Sequence, residues 1–86
     1  MGRLLVLLMN TIQIEREGTR KTLLRNFTDA CQLMSRDPNH VMLCILPELG
    51  AFGSIVNSNL LIRGRFQPKQ IESVIKHYIR DYTLYE

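Results

Sequence analysis

The 86-residue sequence has no tryptophan and only two cysteines. Without tryptophan, a core has to be built mainly from leucine, isoleucine, valine and methionine. Cys31 and Cys44 cannot make a disulfide scaffold, and no Cys-x-x-Cys pair exists to suggest a metal or redox site. They are expected as buried thiols of a cytosolic chain. Long apolar runs are also missing. The opening run, Leu4 to Met9, has six residues, whereas a membrane helix needs about 20. A signal peptide wants about 7–15 apolar residues and a small-residue cleavage site, and Asn10-Thr11-Ile12 is a poor one. Residues 1–10 are expected to be an apolar segment, either a strand, a helix stub packed on the domain or a poorly ordered terminus. A single domain is expected over residues 11–86.

Motifs of catalysis are missing as well. Gly50-Ala51-Phe52-Gly53 has neither the lysine nor the strand-loop-helix setting of a phosphate-binding loop. No serine or cysteine has a base at a suggestive spacing, and the eight carboxylates form no convincing pair. His40 and Cys44 stand four apart on a predicted helix, with Cys31 as a conceivable third ligand. Both cysteines lie on apolar faces, where free cysteine behaves as a small hydrophobe, so core packing is expected. No enzyme, no cofactor and no metal site are expected. His77 lies four before Asp81, spacing for a solvated helical pair.

Apolar residues make up 45% and charged residues 22%, a balance that folds. In Thr11–Glu17, Ile12 and Ile14 alternate with Gln13 and Glu15, the period of a half-buried strand. Gly18-Thr19 breaks it and Arg20–Arg25 resumes, so a hairpin is predicted. Asn26 is expected to cap a helix with Phe27, Ala30, Cys31 and Met34 on one face. Asp37 caps the next, with Pro38 at its first position. That helix is apolar nearly all round and should be well buried, with a kink or fresh turn at Pro47 and a stop at Gly50. Ala51–Gly53 reads as a loop. Ser54–Val56 and Leu60–Arg63 read as a second hairpin. Gln67 caps the last helix, where Ile71, Val74, Ile75, Tyr78, Ile79 and Tyr82 give the clearest helical rhythm. The sum is an α+β domain: an antiparallel sheet of about four strands, with about three helices on one face.

The formal charge is +3, which mildly favours an anionic partner. On the last helix Lys69, Lys76 and Arg80 fall on one stripe, opposite Ile71, Ile75, Tyr78 and Tyr82. Arg63 and Arg65 precede it, two apart on one strand face. If that face adjoins the stripe, five cations form one patch suited to phosphates. Glu72 and Asp81 dilute it, and a solvated helix face is usually charged. Arg16, Arg20, Lys21 and Arg25 form a second cluster on the first hairpin.

Several runs carry a resemblance: Gly18-Thr19-Arg20-Lys21-Thr22, Asn26-Phe27-Thr28-Asp29, Glu48-Leu49-Gly50, Gly53-Ser54-Ile55, and above all Gly64-Arg65-Phe66-Gln67 with Lys69-Gln70-Ile71-Glu72. In this order, over roughly residues 12 to 83, they resemble the central domain of the beta subunit of eukaryotic and archaeal translation initiation factor 2. The resemblance implies a non-catalytic α/β unit of a heterotrimer. Its gamma subunit holds GTP, and the trimer delivers methionyl initiator tRNA to the small ribosomal subunit. The partners it implies are the gamma subunit, other initiation factors, and initiator tRNA or ribosomal RNA, with no membrane and a cytoplasmic setting. The family's gamma-binding helix and four-cysteine zinc ribbon have no counterpart in these 86 residues, so gamma binding and zinc are not carried over. The basic residues expected to meet RNA are Arg63, Arg65, Lys69, Lys76, Arg80, Arg20, Lys21 and Arg25. The alternatives are a protein-only docking domain, or a stimulator of GTP hydrolysis like the amino-terminal domain of initiation factor 5. That second activity needs an arginine in a flexible tail, where this sequence has Arg3.

Overall fold

The computed structural model describes residues 2–82; Thr83–Glu86, which close the domain expected over 11–86, lie outside the described residues. Helix α1 (Gly2–Thr11) leads into strand β1 (Gln13–Glu17) and strand β2 (Lys21–Arg25). Helices α2 (Phe27–Leu33) and α3 (Pro38–Leu49) follow, then β3 (Phe52–Val56), β4 (Asn59–Arg63) and the long α4 (Pro68–Tyr82). The four strands form one antiparallel sheet in the order β1-β2-β4-β3. The α+β class is as expected, with four helices among the described residues rather than about three.

The extra helix is α1, formed by the apolar run Leu4–Met9. Leu8 is fully buried, and the helix packs on α2 and α4. Ile12 belongs to its end and not to a strand, because its N–H donates to the Leu8 carbonyl at 2.9 Å. The alternation therefore begins only at Gln13.

Strand alternation divides the sheet into two faces. Thr22, Leu24, Leu60 and Ile62 point into the helix layer and are buried. Lys21, Leu23, Arg25, Leu61 and Arg63 point to the other face, which no helix covers among the described residues. Against the buried face lie Phe27, Ala30 and Cys31 of α2, Val41, Ile45 and Leu46 of α3, and Ile71, Val74, Ile75, Tyr78 and Ile79 of α4. Burial of such side chains is worth about 1.5–3 kcal/mol each, and this interleaved layer fixes the sheet beneath it.

Three local expectations are corrected. Asn26 does not cap α2 with its side chain. It takes a left-handed conformation (φ 62°) and its Nδ2 donates to the Thr11 carbonyl at 3.3 Å. The exposed amide of Thr28 is met instead by the Ser58 carbonyl, 3.1 Å away, from the β3–β4 turn. Residues 51–53 are not all loop: the ladder runs on to Phe52 opposite Arg63. Glycine at 53 is required there, since a Cβ would stand 2.6 Å from the Leu61 carbonyl oxygen. Pro47 lies inside α3, which runs on to Leu49 and stops at Gly50 (φ 67°) as expected. Pro47 and Leu43 are both exposed, so the Leu43 carbonyl that loses its donor lies on the wet side of the helix. For the same reason α3 is not buried all round.

At the other end of the helix layer, the rings of Tyr78 and Tyr82 stack with centroids 4.8 Å apart, and His40 meets both edge-on. His40 Nδ1 and the Tyr78 hydroxyl share a 2.6 Å hydrogen bond. The Arg36 guanidinium donates to the Tyr82 carbonyl, which ties the α2–α3 junction to the last turn of α4. His77 pairs with Glu48 of α3, not with Asp81. Asp81 instead meets Arg80 at 3.2 Å.

Cys31 is buried and Cys44 half-buried. Burial, and secondarily the Asp37 carboxylate, push the Cys31 thiol from 9.0 to about 12. The neutral thiol is thus favoured in the folded state. Its contribution to stability is complete below pH 9 and is lost as pH rises from 9 towards 12. The expected outcome is that iodoacetamide labels Cys44 in the native protein at about pH 8 and reaches Cys31 only on unfolding. Above about pH 9, stability measured by urea titration should fall more steeply for the wild type than for Cys31→Ala. Equal slopes would show that Cys31 is not held protonated by the fold.

Candidate nucleic-acid interface

β2 and β4 are the two central strands. Their pairing places Lys21 opposite Arg63, and Phe52 flanks Arg63 on the far side. The row across the uncovered face is Glu17, Lys21, Arg63, Phe52. Two like charges directly opposite each other on a sheet are unfavourable by roughly a few tenths of a kcal/mol, and an anion placed over them relieves that repulsion.

The ladder continues past the strand ends. The Gly64 N–H donates to the Arg20 carbonyl at 2.7 Å. The first hairpin's turn therefore sits against the stretch that carries Arg63, Gly64 and Arg65. Arg20, Lys21, Arg63 and Arg65 are brought to one end of the sheet, where all four are exposed.

Thr22 anchors this corner. It is a buried polar residue on the covered face, 1% exposed. Its hydroxyl donates to the Gly64 carbonyl at 2.7 Å and accepts the Phe66 N–H at 3.2 Å. Gly64 has φ 142°, a conformation that side chains rarely adopt. The Phe66 ring lies over it, so a Cβ at 64 would come 2.6 Å from the ring. Phe66 itself packs against the core. After this corner the chain enters α4. Gln67 sits at the cap position, but the side chain that acts is that of Gln70, which accepts the Gln67 N–H at 2.9 Å. Lys69, in the first turn of α4, lies on the helix-layer side, where it lines a depression with Glu48, Leu49 and Phe66.

The structure thus groups the expected RNA-contacting residues differently from the sequence. Arg63 faces the uncovered side of the sheet, whereas α4 belongs to the helix layer on the other side. The five cations from Arg63 to Arg80 do not form one face. Lys76 and Arg80 lie about 10 and 16 Å further along α4 than Lys69, and Arg80 is engaged by Asp81. Arg25 stands at the opposite end of β2, 3.8 Å from Glu15. In exchange, Arg20 and Lys21 join Arg63 and Arg65. Only the strand order brings them together, and no local pattern announces it. Sequence reasoning misses Thr22 as a positioning residue. Its signal is a hydroxyl at a core position of a strand, where a polar group must find partners.

Among the described residues, no three of His, Cys, Asp and Glu stand together to hold a metal. His40 Nε2 and Cys44 Sγ are 3.8 Å apart and belong to the aromatic cluster. Nor, among the described residues, is any helix long and apolar enough to cross a membrane.

Comparison with known proteins adds a family. A family described as a domain found in initiation factors 2B and 5 matches residues 6–85. The chain is 46% identical over 77 residues to the eukaryotic translation initiation factor 2 subunit beta of Arabidopsis thaliana, covering 88% of this chain and 29% of that protein. It is 45% identical over 73 residues to the eukaryotic translation initiation factor 2 subunit 2 of Caenorhabditis elegans, covering 84% and 29%. With the Drosophila melanogaster subunit 2 it shares 45% over 83 residues, 95% of this chain and 27% of that one. The chain spans less than a third of the length of these curated relatives.

The corner makes a testable demand. Thr22→Val leaves the Gly64 carbonyl and the Phe66 N–H without their shared partner, and should cost about 2 kcal/mol, lowering the melting temperature by roughly 10 °C. Thr22→Ser should keep most of that stability. Gly64→Ala should destabilise by about 1–3 kcal/mol through backbone strain. A Thr22→Val protein that melts with the wild type in circular dichroism would show that the corner stands without the hydroxyl.

Proposed function

The chain belongs to the family of the domain found in initiation factors 2B and 5, and on that premise we propose that it is a non-catalytic module of the translation initiation machinery. In this reading it helps an initiation factor 2 complex deliver methionyl initiator tRNA to the small ribosomal subunit. It works in the cytoplasm beside a gamma subunit and other initiation factors. The relatives' names support the translation role. The observation that carries the RNA contact is the basic corner, where the strand pairing and the Gly64–Arg20 hydrogen bond bring Arg20, Lys21, Arg63 and Arg65 to one end of the sheet.

The chemistry suits a phosphate backbone. Lysine and arginine on a rigid sheet end neutralise phosphates, release counterions and give an affinity that falls with salt. Such contacts position RNA and carry no sequence information of their own. Arg80 and Arg25 are secondary in this reading because they already have carboxylate neighbours, and Lys76 because it lies further along α4. A role in stimulating GTP hydrolysis fits less well, since Arg3 sits in helix α1 and not in a flexible tail.

Fluorescence anisotropy with initiator tRNA over a range of salt tests the proposal. The wild type should bind with a steep salt dependence. Replacing Arg20, Lys21, Arg63 and Arg65 by alanine should lower the slope of log K against log salt by about 1 for each phosphate no longer neutralised. Replacing Lys76 and Arg80 should change it less. Unchanged affinity in the four-residue variant, with its fold intact, would leave protein docking as the function of this end of the sheet.

A further inference from the structure

The two edges of the sheet differ. β1 reads QIERE and carries three charges, whereas β3 reads FGSIV and carries no charge and no proline. Charges and prolines on edge strands are what keep sheets from joining edge to edge. β3 lacks both.

The register tells which backbone groups of β3 are free. Phe52, Ser54 and Val56 stand opposite Arg63, Leu61 and Asn59. The Leu61 carbonyl faces β3, while the Gly64 N–H faces the β2 side and bonds Arg20. Hydrogen-bonding direction alternates along an antiparallel ladder. The groups of Phe52, Ser54 and Val56 therefore turn to β4, and those of Gly53 and Ile55 turn outward. An outward pair at this spacing is what a further antiparallel strand requires. On the helix side of the same edge lies an apolar groove of about 510 Å³, lined by Met42, Leu43, Leu46, Pro47, Phe52 and Gly53. Leu43 is 66% exposed in this groove, and the Phe52 side chain, on the uncovered face of the strand, is 82% exposed.

We propose that β3 pairs antiparallel with β3 of a second copy of this chain, about a two-fold axis at Ser54. In that register Gly53 bonds Ile55 of the other copy, Ser54 faces its counterpart, and Phe52 lies across from Val56. The strand is complementary to itself. The position without a side chain receives the branched Ile55, which enters the groove over Leu46. The exposed Phe52 covers the exposed Val56 on the opposite face. With no charge along β3, nothing on the strand repels its copy, and the net charge of +3 per chain is largely screened at physiological salt. Two four-stranded sheets become one continuous sheet through an isologous interface. This inference is independent of the RNA reading.

Sedimentation equilibrium of the 86-residue chain from about 1 μM to 1 mM tests it. A reversible dimer is expected. Ser54→Lys, whose side chain lies on the uncovered face away from the core, should weaken it by about two- to fivefold by opposing two like charges, with the thermal melt of the dilute monomer unchanged. Ser54→Cys in a Cys44→Ser background should cross-link into a covalent dimer on mild oxidation. A monomer at every concentration, a dimer that Ser54→Lys leaves intact, or a monomer whose β3 edge takes up an unrelated peptide strand would each overturn the proposal.

Discussion

One hydroxyl holds the basic corner together. Thr22 joins the central strand β2 to the segment between β4 and α4, donating to Gly64 and accepting from Phe66. A buried hydroxyl with both roles filled adds stability, and left unpartnered it would cost more than it adds. Its position dictates the path of the chain beyond β4. The backbone must turn at Gly64 with positive φ, the Phe66 ring must fold back over the glycine, and α4 must start where Gln70 can reach Gln67. The run Gly64-Arg65-Phe66-Gln67 is thus a structural corner first. Its arginine is carried on the outside of that corner.

The charge arrangement depends on the same geometry. Lys21 and Arg63 are neighbours because β2 and β4 are neighbours, and Arg20 is held by a hydrogen bond to Gly64. A flexible pair of lysines and arginines would spread apart in water. Here the ladder keeps their backbones in register, so the entropy of gathering cations is met during folding and not during binding. The stripe on α4 lacks this arrangement: its charges are spaced along a helix and interrupted by Glu72 and Asp81.

Much of the fold is legible in the sequence. The rhythm Ile71, Val74, Ile75, Tyr78, Ile79 names α4 without ambiguity, and Asp37-Pro38 marks the start of α3. Two hairpins around Gly18 and Asn57-Ser58 are equally clear. The features that escape depend on contacts distant in sequence. Gly53 reads as a loop glycine, yet it is in the ladder because the Leu61 backbone comes too close for a side chain. Asn26 reads as a cap, yet Ser58, in a turn far along the chain, serves the amide it would have met. The run Leu4–Met9 is too short to show a helical period, and only packing on α2 and α4 defines it. The candidate site is half legible. Its residues can be named, but strand order, a property of the whole sheet, decides which of them stand together.

The central claim is that RNA meets this domain at the end of the sheet held by Thr22. The most direct measurement is an amide NMR titration of the labelled domain with initiator tRNA. The account predicts that the first and largest shifts fall on residues 18–22 and 63–66, and weaken together as salt rises. Shifts confined to the far side of α4 or to α1, or none at all at low salt, would contradict it.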